Sequence, residues 1–102
     1  MTVLDLSIIP FKTEGSVKKE IAEAIIEVKR SGLDYRLHNM GTTIVGPLDK
    51  CLETANKAIM KISGYTDRMY AVVKIDNDKT SDKKIGERTK EVEALVNETI
   101  NK

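Results

Sequence analysis

Tyr35-Arg36-Leu37-His38-Asn39-Met40-Gly41-Thr42-Thr43-Ile44-Val45 is the stretch that decides the fold of this 102-residue chain. Tyr35 to His38 and Thr42 to Val45 read as two short strands rich in β-branched and aromatic residues. Asn39-Met40-Gly41 joins them as a hairpin loop whose last position calls for a positive φ, which glycine adopts without strain. That reading sets His38 opposite Thr42 and Arg36 opposite Ile44. A tight hairpin in mid-chain, with helical periodicity on both sides of it, divides the chain into two halves of the same plan.

Working outward, residues 2–9 alternate as a strand, with Leu4, Leu6 and Ile8 against Val3, Asp5, Ser7 and Ile9. Pro10, lacking an N–H, closes that ladder. Lys12-Thr13-Glu14-Gly15 reads as a loop and Ser16 as a helix N-cap. From Val17 to Arg30 the apolar residues Val17, Ile21, Ala24, Ile25 and Val28 form one stripe, with Lys18, Lys19, Glu20, Glu23 and Glu27 in water. Gly32 is placed to close this helix in the left-handed conformation.

Beyond the hairpin, Gly46-Pro47 breaks the strand and starts a second helix. Its expected buried stripe is Leu48, Cys51, Leu52, Ala55, Ile59 and Ile62, and Gly64 ends it. Met69 to Asp76 reads as the fourth strand, with Ala71, Val73 and Ile75 on one face and Tyr70, Val72 and Lys74 on the other. Asn77-Asp78-Lys79-Thr80 is a polar turn. Ser81 or Asp82 then caps a last helix with the stripe Ile85, Val92, Leu95, Val96 and Thr99 or Ile100.

The order is βαββαβ plus a C-terminal helix, an α+β plan of the split βαβ, ferredoxin-like kind. Residues 1–102 read as one such domain. Right-handed crossovers put both main helices on one side of a four-stranded antiparallel sheet. Leu4, Leu6, Ile8, Tyr35, Leu37, Ala71, Val73 and Ile75 are expected to face the helices. Val3, Asp5, Ser7, Ile9, Arg36, His38, Thr42, Ile44, Tyr70, Val72 and Lys74 are expected on the uncovered face. This mixture suits an interface with a second copy of the chain, with a small-molecule site where the polar residues converge.

Composition narrows the function classes. Seventeen Lys and Arg against sixteen Asp and Glu leave a net charge of +1. With no basic block and only Phe11, Tyr35, Tyr65 and Tyr70 as aromatics, nothing marks a nucleic-acid surface. No stretch approaches the roughly 20 apolar residues of a membrane span, and the N-terminus has no leader pattern. The single cysteine, Cys51, has no partner within the chain, as expected of the reducing cytoplasm. One histidine and one cysteine cannot build a structural zinc site. No nucleophile with its base and no glycine-rich phosphate loop is present, so the chain is expected to be neither an enzyme nor a carrier of a cofactor.

Five short segments fall in a recognisable order: Ser7-Ile8-Ile9-Pro10, Ser31-Gly32-Leu33-Asp34-Tyr35, Met40-Gly41-Thr42, Asp67-Arg68 and Lys74-Ile75-Asp76. In that order the chain resembles the small single-domain thiamine-binding proteins, relatives of the YkoF-like proteins. The resemblance implies a ferredoxin-like fold, assembly as dimers or dimers of dimers, and non-covalent binding of thiamine or its pyrimidine part without reaction. It implies Ser7, Met40, Gly41 and Thr42 near the ligand. The chain departs from the family's common pattern at Val45-Gly46, where an acidic residue often stands. It departs again at Asn77-Asp78-Lys79, where an arginine often follows.

The residues themselves are compatible with such a ligand. An aminopyrimidine needs an apolar slot with a few fixed hydrogen-bond partners. Ser7, His38 and Thr42 supply partners, and Ile9, Ile44 and Met40 supply walls. The expected ligand site is therefore Ser7, His38, Met40, Gly41 and Thr42, at the hairpin end of the uncovered face. Asp5 is expected to pair with Lys74 on the neighbouring strand. Two alternatives remain: a regulatory or assembly module for another small ligand, and an acylphosphatase-type enzyme. The second lacks its phosphate loop, since Pro10-Phe11-Lys12-Thr13 stands after the first strand.

Overall fold

The structure, a computed structural model, describes residues 1–12, 14–81 and 85–100. Its elements are β1 (Thr2–Pro10), α1 (Lys18–Arg30), β2 (Asp34–His38), β3 (Gly41–Gly46), α2 (Leu48–Ser63), β4 (Met69–Asn77) and α3 (Glu87–Ile100). Thr13 of the expected loop, the cap candidate Asp82 and the side chains of Thr99 and Ile100 lie outside the description.

The strands form one antiparallel sheet in the order β2-β3-β1-β4, the arrangement two split βαβ units produce. Leu4 and Leu6 of β1 point at the helices and are buried, together with Ala24 and Val28 of α1. Ile44 of β3 and Cys51, Ala55, Ala58 and Ile62 of α2 complete the core. Small residues on α2 let the helix lie close to β1 and α1. Ile8, Leu33, Tyr35, Ile59 and Met69 close the margins.

The helix ends show how local chemistry sets the boundaries. Ser16 Oγ accepts a hydrogen bond from the Lys18 N–H at 3.2 Å, so it caps from one position earlier than a regular N-cap, and Val17 takes the N-cap place. At the other end Ser31 Oγ donates to the Val28 carbonyl at 2.5 Å and accepts from the Leu33 N–H at 3.1 Å. Gly32 at φ 75° then turns the chain into β2, as expected of a helix-closing glycine.

Two expectations change here. The hairpin has a two-residue turn, Asn39-Met40, with His38 opposite Gly41 and Leu37 opposite Thr42. Gly41 belongs to β3, and no residue of this turn has a positive φ. The one-residue slip exchanges the faces of β3. Thr42 and Ile44 point at the helices, opposite Leu6 and Leu4 of β1, whereas Thr43 and Val45 lie opposite Asp5 and Val3.

The reason for Gly41 is space. A Cβ there would stand 2.7 Å from the Leu6 carbonyl oxygen, closer than any side chain tolerates.

The α2 stripe is also narrower than expected. Leu48 and Leu52 are exposed, and the buried places fall to Thr54 and Ala58. Thr54 satisfies its hydroxyl on the Lys50 carbonyl at 2.8 Å. The alternation of β4 is as expected, but α1 and α2 do not reach across it. Val73 and Ile75 on the helix side are 38% and 46% exposed.

The stripe of α3 finds no cover either. Val92, Leu95 and Val96 are 51%, 62% and 48% exposed. Because α3 stands off the body, the radius of gyration is 15.8 Å, against about 13 Å for a compact chain of this length.

Candidate functional site

The hairpin turn and the C-terminal end of β1 meet at the same end of the sheet, beside the first half of α1. There a cavity of about 330 Å³ opens, within the size range of small-molecule sites. Its walls are largely aliphatic, from Ile8, Ile21, Ile25, Leu37 and Ile62. All five residues expected at a ligand site, Ser7, His38, Met40, Gly41 and Thr42, line it. Ile9 lines it as expected, while Ile44, the other expected wall, is buried in the core. The missed contributors are Leu6, Ile8, Leu37, Asn39 and the α1 and α2 residues, and no local pattern encodes the proximity of the helical ones.

The position differs from the expectation in one respect. The cavity opens between the sheet and the helices rather than on the uncovered face, because the slip in β3 turns Thr42 inward. Thr42 is 3% exposed and borders the cavity. Its hydroxyl can both donate to and accept from a group placed in the cavity. Ser7 and His38 belong by alternation to the other face and border the cavity from the strand ends. Met40, 81% exposed, stands at its mouth.

His38 is fixed by a second contact. Its Nε2 donates to Asp5 Oδ1 at 3.0 Å. Asp5 was expected to pair with Lys74, its cross-strand neighbour. The imidazole reaches it instead along the diagonal from β2, over Gly41, which has no side chain to block the way.

The helices behind the cavity are tied by a separate cluster. Tyr65, just past α2, donates its hydroxyl to Glu23 Oε2 on α1 at 2.5 Å, and Lys61 lies 3.6 Å from the same oxygen. The tyrosine hydrogen bond, with desolvation opposing it and Lys61 assisting, holds the Glu23 carboxyl below its usual range. The same bond raises Tyr65. Glu23 is thus an inter-helix tie rather than a merely solvated carboxylate.

Burial, followed by the charge of Asp49, raises the Cys51 thiol. With Sγ packed 4.0 Å from the Thr2 carbonyl, it is a core residue and not a nucleophile. Among the described residues no three His, Cys, Asp or Glu side chains converge as a metal site would need.

Comparison with known proteins shows the family and the fold. Residues 4–93 match the family model described as thiamine-binding protein. The chain belongs to the thiamine-binding protein family. It is 31% identical over 93 residues to the UPF0045 protein MJ1052 of Methanocaldococcus jannaschii, covering 91% of this chain and 93% of that one.

The crystal structure of hypothetical protein MJ1052 superposes with a TM-score of 0.81 over 89% of this chain and 94% of its own. Two solved structures below 25% identity share the fold. One is the candidate thiamine biosynthesis/salvage protein TM0486 of Thermotoga maritima, at 16% identity and a TM-score of 0.78, covering 89% of this chain and 97% of that one. The other is a DUF77 domain of Bacillus cereus, at 24% and 0.76, covering 85% of each chain.

As a family member the chain is thus expected to hold a small molecule. Among the described residues no helix is long and apolar enough to cross a membrane.

Proposed function

We propose that this member of the thiamine-binding family binds thiamine, or its hydroxymethylpyrimidine portion, reversibly and without catalysing a reaction. The observation that carries the reading is the cavity at the hairpin end, which collects Ser7, His38, Met40, Gly41 and Thr42 on an aliphatic wall. An aminopyrimidine is flat and apolar on its faces and polar at its edge. Aliphatic side chains cover the faces, and the hydroxyl of Thr42 meets the edge. The cationic thiazolium would lie toward Met40, at the mouth, where solvent screens its charge.

The proposal includes assembly with further copies of the chain in the cytoplasm, a dimer or a dimer of dimers. Its support is the apolar surface left uncovered: Ile9, Tyr70 and Val72 on the open face, and Val92, Leu95 and Val96 on α3. A chain of this size gains stability by burying such surface against itself.

The test is thermal unfolding with thiamine or hydroxymethylpyrimidine at millimolar concentration. A ligand bound only to the native state stabilises it by about 2.7 kcal/mol at a hundredfold excess over Kd, so the melting temperature should rise with concentration. Ser7→Ala and Thr42→Val should each weaken binding by about 0.5–1.5 kcal/mol. Unchanged melting with both compounds, or variants that bind as tightly as the parent, would dismiss this reading.

A further inference from the structure

We propose that a second cavity, on the uncovered face of the sheet, binds the phosphate group of a small phosphorylated metabolite. This cavity has a volume of about 660 Å³ and lies between the sheet and the first turn of α3. Its floor is a single row running across the strands. Arg36 lies opposite Thr43, Thr43 opposite Asp5, and Asp5 opposite Lys74. Adjacent strands are about 4.8 Å apart, so Arg36 and Lys74 stand about 14 Å apart at their Cα atoms, a span their long side chains can close. Arg88 and Thr89 of α3 form the facing wall, with the positive end of that helix on the same side.

The lining carries Arg36, Lys74 and Arg88 against Asp5, Asp76 and Asp78, so what matters for an anion is which of these groups are already engaged. Asp5 is engaged by His38 at 3.0 Å. Asp78 accepts from the Thr80 N–H and hydroxyl at 2.9 and 2.6 Å. Arg36, Lys74 and Arg88 form no ion pair among the described residues.

The three cations are thus without an ion pair, whereas two of the carboxylates, still charged, are turned to hydrogen-bond donors of the protein. Two guanidinium forks and an ammonium suit the three terminal oxygens of a phosphate monoester. Arg36 also reaches the segment just before α3. Gly86, at φ 82°, turns its bare Cα toward the guanidinium, and a Cβ there would stand 3.2 Å from both terminal nitrogens. Asp76 sits one row further along β4. It disfavours a second anionic group there, so the remainder of the ligand is neutral or cationic.

Titration calorimetry on the full chain at fixed ionic strength tests this, with inorganic phosphate, glycerol 3-phosphate and citrate as probes. The expected result is saturable binding of phosphate and glycerol 3-phosphate, and weaker binding of citrate. Equal affinities for phosphate and glycerol 3-phosphate would identify the free ion as ligand, and a tighter ester would identify a phosphorylated metabolite.

Arg36→Gln and Arg88→Gln should each weaken binding about tenfold, while Lys19→Gln, an equal charge change on α1, leaves it intact. If the arginine variants fail to fold by circular dichroism, Lys74→Gln on the exposed edge strand carries the same expectation. Absence of saturable binding to the parent, citrate binding as tightly as phosphate, or Lys19→Gln costing as much as the cavity variants would overturn the proposal. His38 borders both cavities, but Arg36, Lys74 and Arg88 line only this one, so the effect of their variants is read separately from the thiamine titration.

Discussion

Replacing Gly41 separates two reasons a hairpin can contain glycine. If glycine supplied a left-handed backbone, Asn would be the best substitute, because its short polar side chain tolerates that conformation. Gly41 has no positive φ, however, and its missing Cβ would lie 2.7 Å from the Leu6 carbonyl oxygen and 3.4 Å from the carbonyl carbon.

The neighbour is strand backbone, held by its own ladder, so it cannot rotate away as a side-chain tip would. Any side chain must push β3 from β1 where Leu6 pairs with Thr42. Overpacking of this kind costs about 1–3 kcal/mol, and a domain of this size loses about 4–8 °C in melting temperature per kcal/mol. Gly41→Ala should therefore lower the midpoint by roughly 4–24 °C by those figures, and Gly41→Asn by at least as much.

Gly32 is the internal control: φ is 75° and nothing lies within 4 Å of its Cβ position. There Asn should be the mildest replacement and Val the most damaging. Urea and thermal unfolding of these variants measure the contrast. A Gly41→Asn variant as stable as the parent would refute the close-approach argument, and with it the register of the hairpin.

Three further outcomes follow from other sites. Val72→Lys on the open face should shift the protein toward monomer in light scattering at micromolar concentration, because it places a charge without a partner in the proposed interface; unchanged mass would place the interface elsewhere. The Tyr65–Glu23 bond should give a two-sided pH dependence of stability. Glu23 is depressed when folded, so its contribution is present above its unfolded value of 4.5 and is lost as pH falls through the folded one. Tyr65 is raised, so its contribution is complete below its unfolded value of 10.0 and is lost as pH rises through the folded one. Tyr65→Phe should flatten both limbs of urea midpoint against pH, and a variant that keeps the parent's profile would assign those limbs to other groups.

The element order was legible because each segment carries its own punctuation. Pro10 follows an alternating run, Gly32 follows an amphipathic one, and Gly46-Pro47 separates a β-branched strand from a helical stripe. What local pattern could not settle was the register of β3. Thr42-Thr43-Ile44-Val45 is β-branched throughout, so it lacks the polar-apolar contrast that normally fixes which face is buried. Both phases look equally sound until β1 is laid beside it, when burial of Ile44 against Leu4 decides. The same limit applies to α2. Leu48 and Leu52 satisfy a helical stripe as well as Thr54 and Ala58 do, and only the close approach to β1 and α1 selects the smaller residues.

The five expected residues still line one cavity for a geometric reason. Facing matters in the middle of a strand, where a side chain must project to one side of the sheet. At a strand end the chain turns, and residues of both phases gather around the same opening. Ser7 lies toward the end of β1, His38 is the last residue of β2, and Gly41 and Thr42 are the first of β3. Their convergence depends on position along the strand, which the turn residues fix, and not on which side each faces. The slip changed where the cavity opens, moving it from the uncovered face to the gap beneath α1, and it changed the status of Thr42 from a surface hydroxyl to a buried one. That change alters how Thr42 would meet a ligand. A hydroxyl on an open face meets a ligand in competition with bulk water, whereas one on the wall of a largely aliphatic cavity meets a polar edge with less of that competition.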